Sequence, residues 1–150
     1  MGDKPGAAAG ASSSDEVRVA LGTDLQAPRR ARDVVRTALA EWQLSAILET
    51  VLLAVSELVT NAVIHGAPPV DLTLRRSQGQ LRVGVHDNNP ELPERLGPVV
   101  SNGATSGRGL DIVASLADDL GCEGVPNDGK IVYASFATSA AGTRTADGSC

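Results

Sequence analysis

Residues 48–66 constrain the fold more than any other stretch of the chain. Apolar residues recur there every three or four positions, which predicts one long amphipathic helix with a buried stripe. The stripe consists of Val51, Leu52, Val55, Leu58, Val59, Ala62 and Val63. Glu57 and Asn61 are four residues apart, so they project together from the other side of the helix. The helix can bury one face in a core and present a carboxylate beside a carboxamide.

The segments around this helix predict an α+β domain. Alternating apolar residues predict strands over residues 16–21, 70–75, 81–86, 119–123 and 130–136, and a second stripe predicts a helix over residues 27–42. A third helix is predicted from the glycines at 107 and 109 onward. This order indicates a two-layer α/β sandwich, with an antiparallel-rich mixed sheet and helices on one face.

Composition and charge exclude several classes of protein. The 150 residues suffice for one domain, which we place at residues 15–137 between disordered tails at 1–14 and 138–150. A net charge of −5 and only three aromatic residues argue against direct nucleic-acid binding. The two cysteines form no disulfide framework or zinc spacing, and neither a signal peptide nor a membrane span is expected. A cytoplasmic protein is therefore expected.

Candidate chemistry lies at four points along the chain. Asn61 offers an oxygen to a hard cation such as Mg²⁺, and Glu57 could accept a proton. Asp87 follows a strand and, when ionised, can accept the hydrogens of an exocyclic amine. Gly107 and Gly109 permit close backbone approach where a helix directs free N–H groups toward phosphate. Each feature alone has a plainer interpretation: a solvated helix face, a turn at a strand end, or a tight helix entry.

Three boxes in this order carry a family resemblance: Glu57-Leu-Val-Thr-Asn61-Ala-Val-Ile-His65-Gly66, then Asp87, then Gly107-Arg108-Gly109-Leu110. Together they resemble the histidine-kinase-like ATPase superfamily, which includes gyrase-type ATPases, sensor histidine kinases and the MutL proteins. The short single-domain form with Asn-Ala-x-x-His-Gly is most similar to the bacterial anti-sigma factor serine/threonine kinases. The resemblance spans roughly residues 16–136.

The resemblance implies a Bergerat-type fold that binds ATP with Mg²⁺ between a helical layer and a lid. It implies that Glu57 is the catalytic base, that Asn61 holds Mg²⁺ and that Asp87 receives the adenine amine. The nucleotide-binding residues of the last box would be Gly107, Arg108, Gly109 and Leu110. The lid would be roughly residues 88–106.

The second box departs from the family pattern, which is Asp-x-Gly-x-Gly. Here the sequence is Asp87-Asn88-Asn89-Pro90-Glu91, with neither glycine. The turn behind Asp87 is therefore expected to differ from that of the family, which leaves nucleotide affinity and catalytic competence open.

The resemblance favours an ATP-binding anti-sigma factor serine/threonine kinase. Such a protein binds a sigma factor and phosphorylates an anti-sigma antagonist protein, and the family implies a homodimer without contact to nucleic acid or membrane. The altered second box favours the alternative of a non-catalytic regulator that binds its partner under nucleotide control, or without nucleotide. The catalytic domain of a sensor histidine kinase fits less well, because the sequence contains no phosphoacceptor helix pair.

Overall fold

The computed structural model describes residues 15–91 and 108–138, with five strands and three α-helices in these ranges. In chain order they are β1 (Asp15–Ala20), α1 (Ala27–Glu41), α2 (Leu48–His65), β2 (Asp71–Ser77), β3 (Gln80–Asp87), α3 (Arg108–Leu116), β4 (Asp119–Gly124) and β5 (Lys130–Ala137). A short 3₁₀ turn, Ser45–Ile47, precedes α2. All the predicted elements are present, and their ends lie within two residues of the predicted ones.

The strands form one sheet in the order β1-β2-β3-β5-β4. Each neighbouring pair of these described strands is antiparallel, so the mixed sheet that was expected contains only antiparallel pairs here. The α+β class is confirmed. Strands β3 and β5 are not consecutive in the chain, and their pairing places Asp87 opposite Lys130.

The core lies between one face of the sheet and the helices α1 and α2. Its members are almost all aliphatic, as the composition requires, and Phe136 is the single aromatic residue among the buried ones of the described chain. Fully buried examples are Val35 and Leu39 on α1, Val51, Val55 and Val59 on α2, and Leu72, Leu74, Leu81 and Val83 on the sheet. Burial of each such side chain contributes about 1.5–3 kcal/mol relative to exposure.

Helix α2 is buried on more sides than its sequence predicts. The predicted stripe is buried except for Val63, which is partly buried, and Ala54, one turn before Glu57, is also fully buried. Helix α3 packs against this second side of α2. Consequently Glu57 is partly buried where α2 meets α3, and Asn61, one turn further on, is also partly buried.

The segment Ser45–His65 is 21 residues long with a mean hydropathy of 1.8, enough by length and composition alone to span a membrane. No membrane span was expected from the sequence. In the structure the apolar stripe of this segment packs against the sheet and the neighbouring helices. We therefore interpret it as the central core helix of the domain.

Candidate functional site

Glu57 and Gly109 meet where α3 begins. A β-carbon placed on Gly109 would lie 2.6 Å from Glu57 Oε1, so the missing side chain is what lets α3 approach the carboxylate. Asn61 follows one helical turn after Glu57 on α2. Within residues 15–91 and 108–138, neither side chain forms a hydrogen bond or an ion pair. This end of the site therefore holds oxygen atoms that remain available to a ligand.

Asp87 is at the other end of the site and is almost completely buried, with 1% of its surface exposed. Its carboxylate forms an ion pair with Lys130, whose Nζ lies 3.1 Å from both Oδ1 and Oδ2. The backbone N–H groups of Asn89 and Ala67 donate to Oδ1 at 2.8 and 3.3 Å. The Lys130 ammonium also donates to the Asn89 carbonyl at 2.8 Å.

These contacts pair both charged groups, but they are distributed unequally over the two carboxylate oxygens. Among the described residues Oδ1 accepts from three N–H groups, whereas Oδ2 has only the ion pair with Lys130. Because both groups are buried, removing one partner leaves an uncompensated charge, which typically costs about 3–5 kcal/mol. Asp87 is therefore part of the framework of the fold as the structure stands.

Gly66 allows the carboxylate of Asp87 to lie against the end of α2. It follows the last residue of the helix, and its backbone is extended, at φ −92° and ψ −162°. A β-carbon on Gly66 would lie 2.5 Å from Asp87 Cγ and 2.6 Å from the Ala62 carbonyl oxygen. Gly66 is thus required for close approach rather than for a special turn.

Asparagines stabilise the turn behind Asp87. The Asn88 N–H donates to the Ala67 carbonyl at 2.7 Å, and the Asn89 side chain donates to the His65 carbonyl at 3.0 Å. The Asn89 side-chain oxygen accepts the Glu91 N–H at 3.0 Å. Asp87 therefore also has the role of a strand-end turn former, which was its plainer interpretation.

The structure describes only some of the residues predicted for the last box, the lid and the tails. Gly107 and residues 92–106 of the predicted lid lie outside the described residues, as do both predicted tails, apart from residue 138. Arg108 begins α3, but its side chain is outside the described part. Leu110 is 2% exposed and packs in the hydrophobic core, which gives it a structural role there.

Sequence reasoning missed Lys130. It is one of only two lysines in the chain, and it lies in phase with Val132, Ala134 and Phe136, which all face the core. A charge in phase with buried residues is a signal that could have identified it, because buried charges are rarely left unpaired. Its partner could not be read from the sequence, since β3 and β5 are separated by more than forty residues.

A cysteine close to this ion pair is not a candidate nucleophile. Cys122 lies on β4, and burial raises the pKa of its thiol, with opposing electrostatic contributions from Lys130 and Asp87. The thiol is consequently protonated at neutral pH, and the thiolate is the reactive form.

The sequence matches the family model of the histidine kinase-like ATPase domain over residues 11–136. The chain belongs to this family. No curated protein matches the sequence. Among solved structures, this histidine kinase-like ATPase domain is similar to the crystal structure of the RsbU and RsbW domains of Rv1364c from Mycobacterium tuberculosis, with a TM-score of 0.62 and 19% identity. The match covers 82% of this chain and 32% of the other, and at this identity it supports the fold alone.

ATP is the ligand that membership of this family implies, and the two ends of the site fit it differently. The unpaired oxygens of Glu57 and Asn61 beside the start of α3 suit a metal-bound phosphate chain. No group of three or more potential metal ligands among His, Cys, Asp and Glu occurs in the described ranges, so Mg²⁺ would be held by Asn61, water and phosphate oxygens. At the other end, an adenine amine would share the Asp87 carboxylate with Lys130, and Oδ2 is the oxygen with fewer contacts among the described residues.

Proposed function

We propose that this protein is a cytoplasmic ATP-binding regulator of the anti-sigma factor serine/threonine kinase type, with residues 15–137 as its functional domain. It would bind a sigma factor and phosphorylate an antagonist protein. The observation that carries the proposal is the contact of Glu57 with Gly109 at the start of α3, with Asn61 one turn further on. Family membership and the fold shared with a structure containing an RsbW domain support it.

Each residue has a defined task in this proposal. Asn61 would hold Mg²⁺ through its side-chain oxygen, and the backbone at Gly109 would lie along the phosphates. Bound Mg-ATP would supply the phosphoryl group. Glu57 would accept, at a carboxylate oxygen, the proton of the partner's serine or threonine hydroxyl. Such a positioned base typically contributes a factor of about 10²–10⁴ in rate.

A second candidate function is a regulator that binds its partner without catalysis. The ion pair of Asp87 with Lys130 favours it, because an adenine amine would have to compete with that cation for the buried carboxylate. In this case nucleotide would act as a conformational ligand, or would not be required. Under either function, the proposed partners are a sigma factor and its antagonist, and the proposed assembly is a homodimer.

Calorimetric titration of the purified protein with Mg-ATP and Mg-ADP tests nucleotide binding, and transfer of labelled phosphate to a candidate antagonist tests catalysis. Glu57→Gln keeps size and polarity, so ATP affinity should change little while transfer falls by about 10²–10⁴. Asn61→Ala should weaken Mg-ATP binding as well. Glu49→Gln is the matched control, because it removes the same charge from an exposed position on the same helix.

The outcomes separate the two functions. Full transfer by Glu57→Gln would rule out its assignment as the base. ATP binding without transfer to any candidate would favour the regulator without catalysis. If wild-type protein does not bind ATP at millimolar concentration, nucleotide has no part in either proposed function.

A further inference from the structure

We propose that one face of α1 is a docking surface for an acidic segment of a partner protein. This arginine face consists of Arg29, Arg32 and Arg36, together with Leu25 in the turn that precedes the helix. The inference goes beyond the proposed function, because docking at this surface requires neither nucleotide nor phosphate transfer.

The three arginines lie on one side of α1, because they recur every three or four positions. Arg29 and Arg36 are exposed, and Arg32 is partly buried. Leu25 is 89% exposed, the largest exposed fraction among the large hydrophobic side chains of the described residues. Arg30 is not part of this face, because its guanidinium donates to a backbone carbonyl of the loop after β1 at 2.9 Å. The surface therefore combines three cations with an exposed apolar side chain.

The placement of these charges is unfavourable for the helix itself. A helix is stabilised by acidic residues in its first turn and by basic residues in its last turn. Helix α1 has no acidic residue in its first turn and no basic residue in its last turn, whereas Arg29 lies close to its beginning. The spacing also sets Arg32 within one helical turn of Arg29 and of Arg36, where like charges repel each other. The fold therefore gains no stability from this arrangement.

The guanidinium groups of this face remain available to carboxylates from outside the domain. Arg29 and Arg32 form no hydrogen bond or ion pair with any residue that the structure describes. Arg36 Nη1 lies 3.2 Å from Asp33 Oδ1, but the two side chains are 51% and 69% exposed. An exposed pair of this kind contributes little to stability, so Arg36 can exchange Asp33 for another carboxylate.

The partner that fits this surface is a short acidic segment with an apolar residue. An arginine side chain can hold a carboxylate with two parallel hydrogen bonds, and Leu25 offers an apolar contact beside the cations. The net charge of the chain is −5, so the rest of its surface would repel a long polyanion such as a nucleic acid or an anionic membrane. A short segment can cover the arginines without meeting that repulsion.

The experiment measures the binding of a short fluorescein-labelled peptide rich in glutamate and leucine, by fluorescence anisotropy and without nucleotide. A peptide with glutamine in place of every glutamate is the control for charge. Wild-type protein should bind the acidic peptide and not the glutamine peptide, and added salt should weaken the binding.

Substitutions on the arginine face should weaken peptide binding and leave the fold intact. The double variant Arg29→Gln with Arg32→Gln should lose about tenfold or more in affinity, and Leu25→Ser about threefold to tenfold. The matched control is Arg18→Gln with Arg75→Gln, which removes two exposed arginines from the sheet and changes the net charge equally. Its affinity should stay within about twofold of wild type. The Arg29 and Arg32 variant should unfold at no lower urea concentration than wild type, because the charges that it loses oppose the helix dipole.

The proposal is overturned if wild-type protein does not bind the acidic peptide at millimolar concentration, or binds the glutamine peptide equally well. Equal losses in the two double variants would show an effect of net charge alone and would also overturn it. An easier unfolding of the Arg29 and Arg32 variant would assign these arginines to the fold instead. Phosphatidylglycerol vesicles and a single-stranded DNA oligonucleotide are tested in parallel, and binding of either in place of the peptide would overturn the choice of partner. Because no nucleotide is present, a failure of ATP to bind leaves this result unaffected.

Discussion

The two ends of the candidate site, around Glu57 and around Asp87, are built in the same way but differ in how the acidic side chain is paired. At each end a glycine brings a helix terminus against an acidic side chain: Gly109 against Glu57 and Gly66 against Asp87. Glu57 has no hydrogen-bonding partner within the described ranges, whereas Asp87 accepts three hydrogen bonds and forms an ion pair with Lys130. Glu57 and Gly66 are nine residues apart in the chain, which corresponds to about 14 Å along a helix at 1.5 Å per residue. The carboxylate at one end is therefore unpaired, and the one at the other end is held by several donors.

This difference shows that an acidic residue at a motif position has two possible uses. An unpaired, partly exposed carboxylate can take a proton or a ligand, and its removal costs the fold little. A buried carboxylate held by several donors contributes to folding, and a ligand must compete with those donors. The predictions below test this contrast, beginning with the largest expected effect.

The largest expected effect is on the free energy of unfolding. Asp87→Asn removes the counter-ion of buried Lys130 and should destabilise the protein by about 3–5 kcal/mol. Glu57→Gln should change stability by less than about 0.5 kcal/mol, because the side chain has no pairing to lose. Urea unfolding followed by circular dichroism measures both. Equal effects of the two substitutions would remove the distinction between the two ends.

The sequence predicts the features that depend on local patterns, and it does not predict those that depend on contacts between distant parts of the chain. The strands, the helices and the α+β class follow from periodicity, because each element must bury a face of defined period. The glycines of the Gly-x-Gly box were expected to permit close approach to phosphate, and the sequence did not predict that Gly109 would also bring α3 against Glu57. The pairing of Asp87 with Lys130 depends on the register of two non-consecutive strands, which local patterns do not encode. The extended backbone of Gly66 likewise depends on what packs against it.

The two glycines give the next largest effect. Gly66→Ala should destabilise the protein by about 1–3 kcal/mol, because its β-carbon would meet a buried carboxylate and a helix carbonyl that cannot move independently. Gly109→Ala should cost less than about 1 kcal/mol, since the obstructing atom is the end of the flexible, partly exposed Glu57 side chain.

Thermal unfolding of the two alanine variants under the same conditions measures these two losses of stability. Gly109→Ala should additionally lower phosphate transfer, because Glu57 must move to accommodate the new methyl group. A larger loss of stability in Gly109→Ala than in Gly66→Ala would contradict the conclusion that Asp87 is held more firmly than Glu57.

An exposed ion pair on the same sheet provides a smaller effect for comparison. Arg82 Nη2 lies 3.4 Å from Glu123 Oε2, and about half of the surface of these two side chains is exposed to water. The Arg82 guanidinium carbon also lies 3.8 Å from the centroid of the Tyr133 ring. A double-mutant cycle of Arg82→Thr and Glu123→Gln should give a coupling of about 0.2–1 kcal/mol, screened by added salt. The same cycle for Asp87 and Lys130 should give a larger coupling that salt changes little. Equal couplings would show that burial does not strengthen the Asp87 pair.

The smallest expected effect concerns an acidic residue that is paired but fully exposed. Hydrogen bonds from the Arg30 side chain and the Gln26 N–H lower the pKa of Asp24 below its usual value near 3.8. A group with a depressed folded-state pKa stabilises the fold above its unfolded pKa and loses that contribution as the pH falls through the folded pKa. The stability difference between wild type and Asp24→Asn should therefore be small at neutral pH. It should vanish as the pH falls below about 3.8. Urea midpoints measured across this range provide the test, and a difference that grows on acidification would show that pairing of Asp24 does not stabilise the folded state.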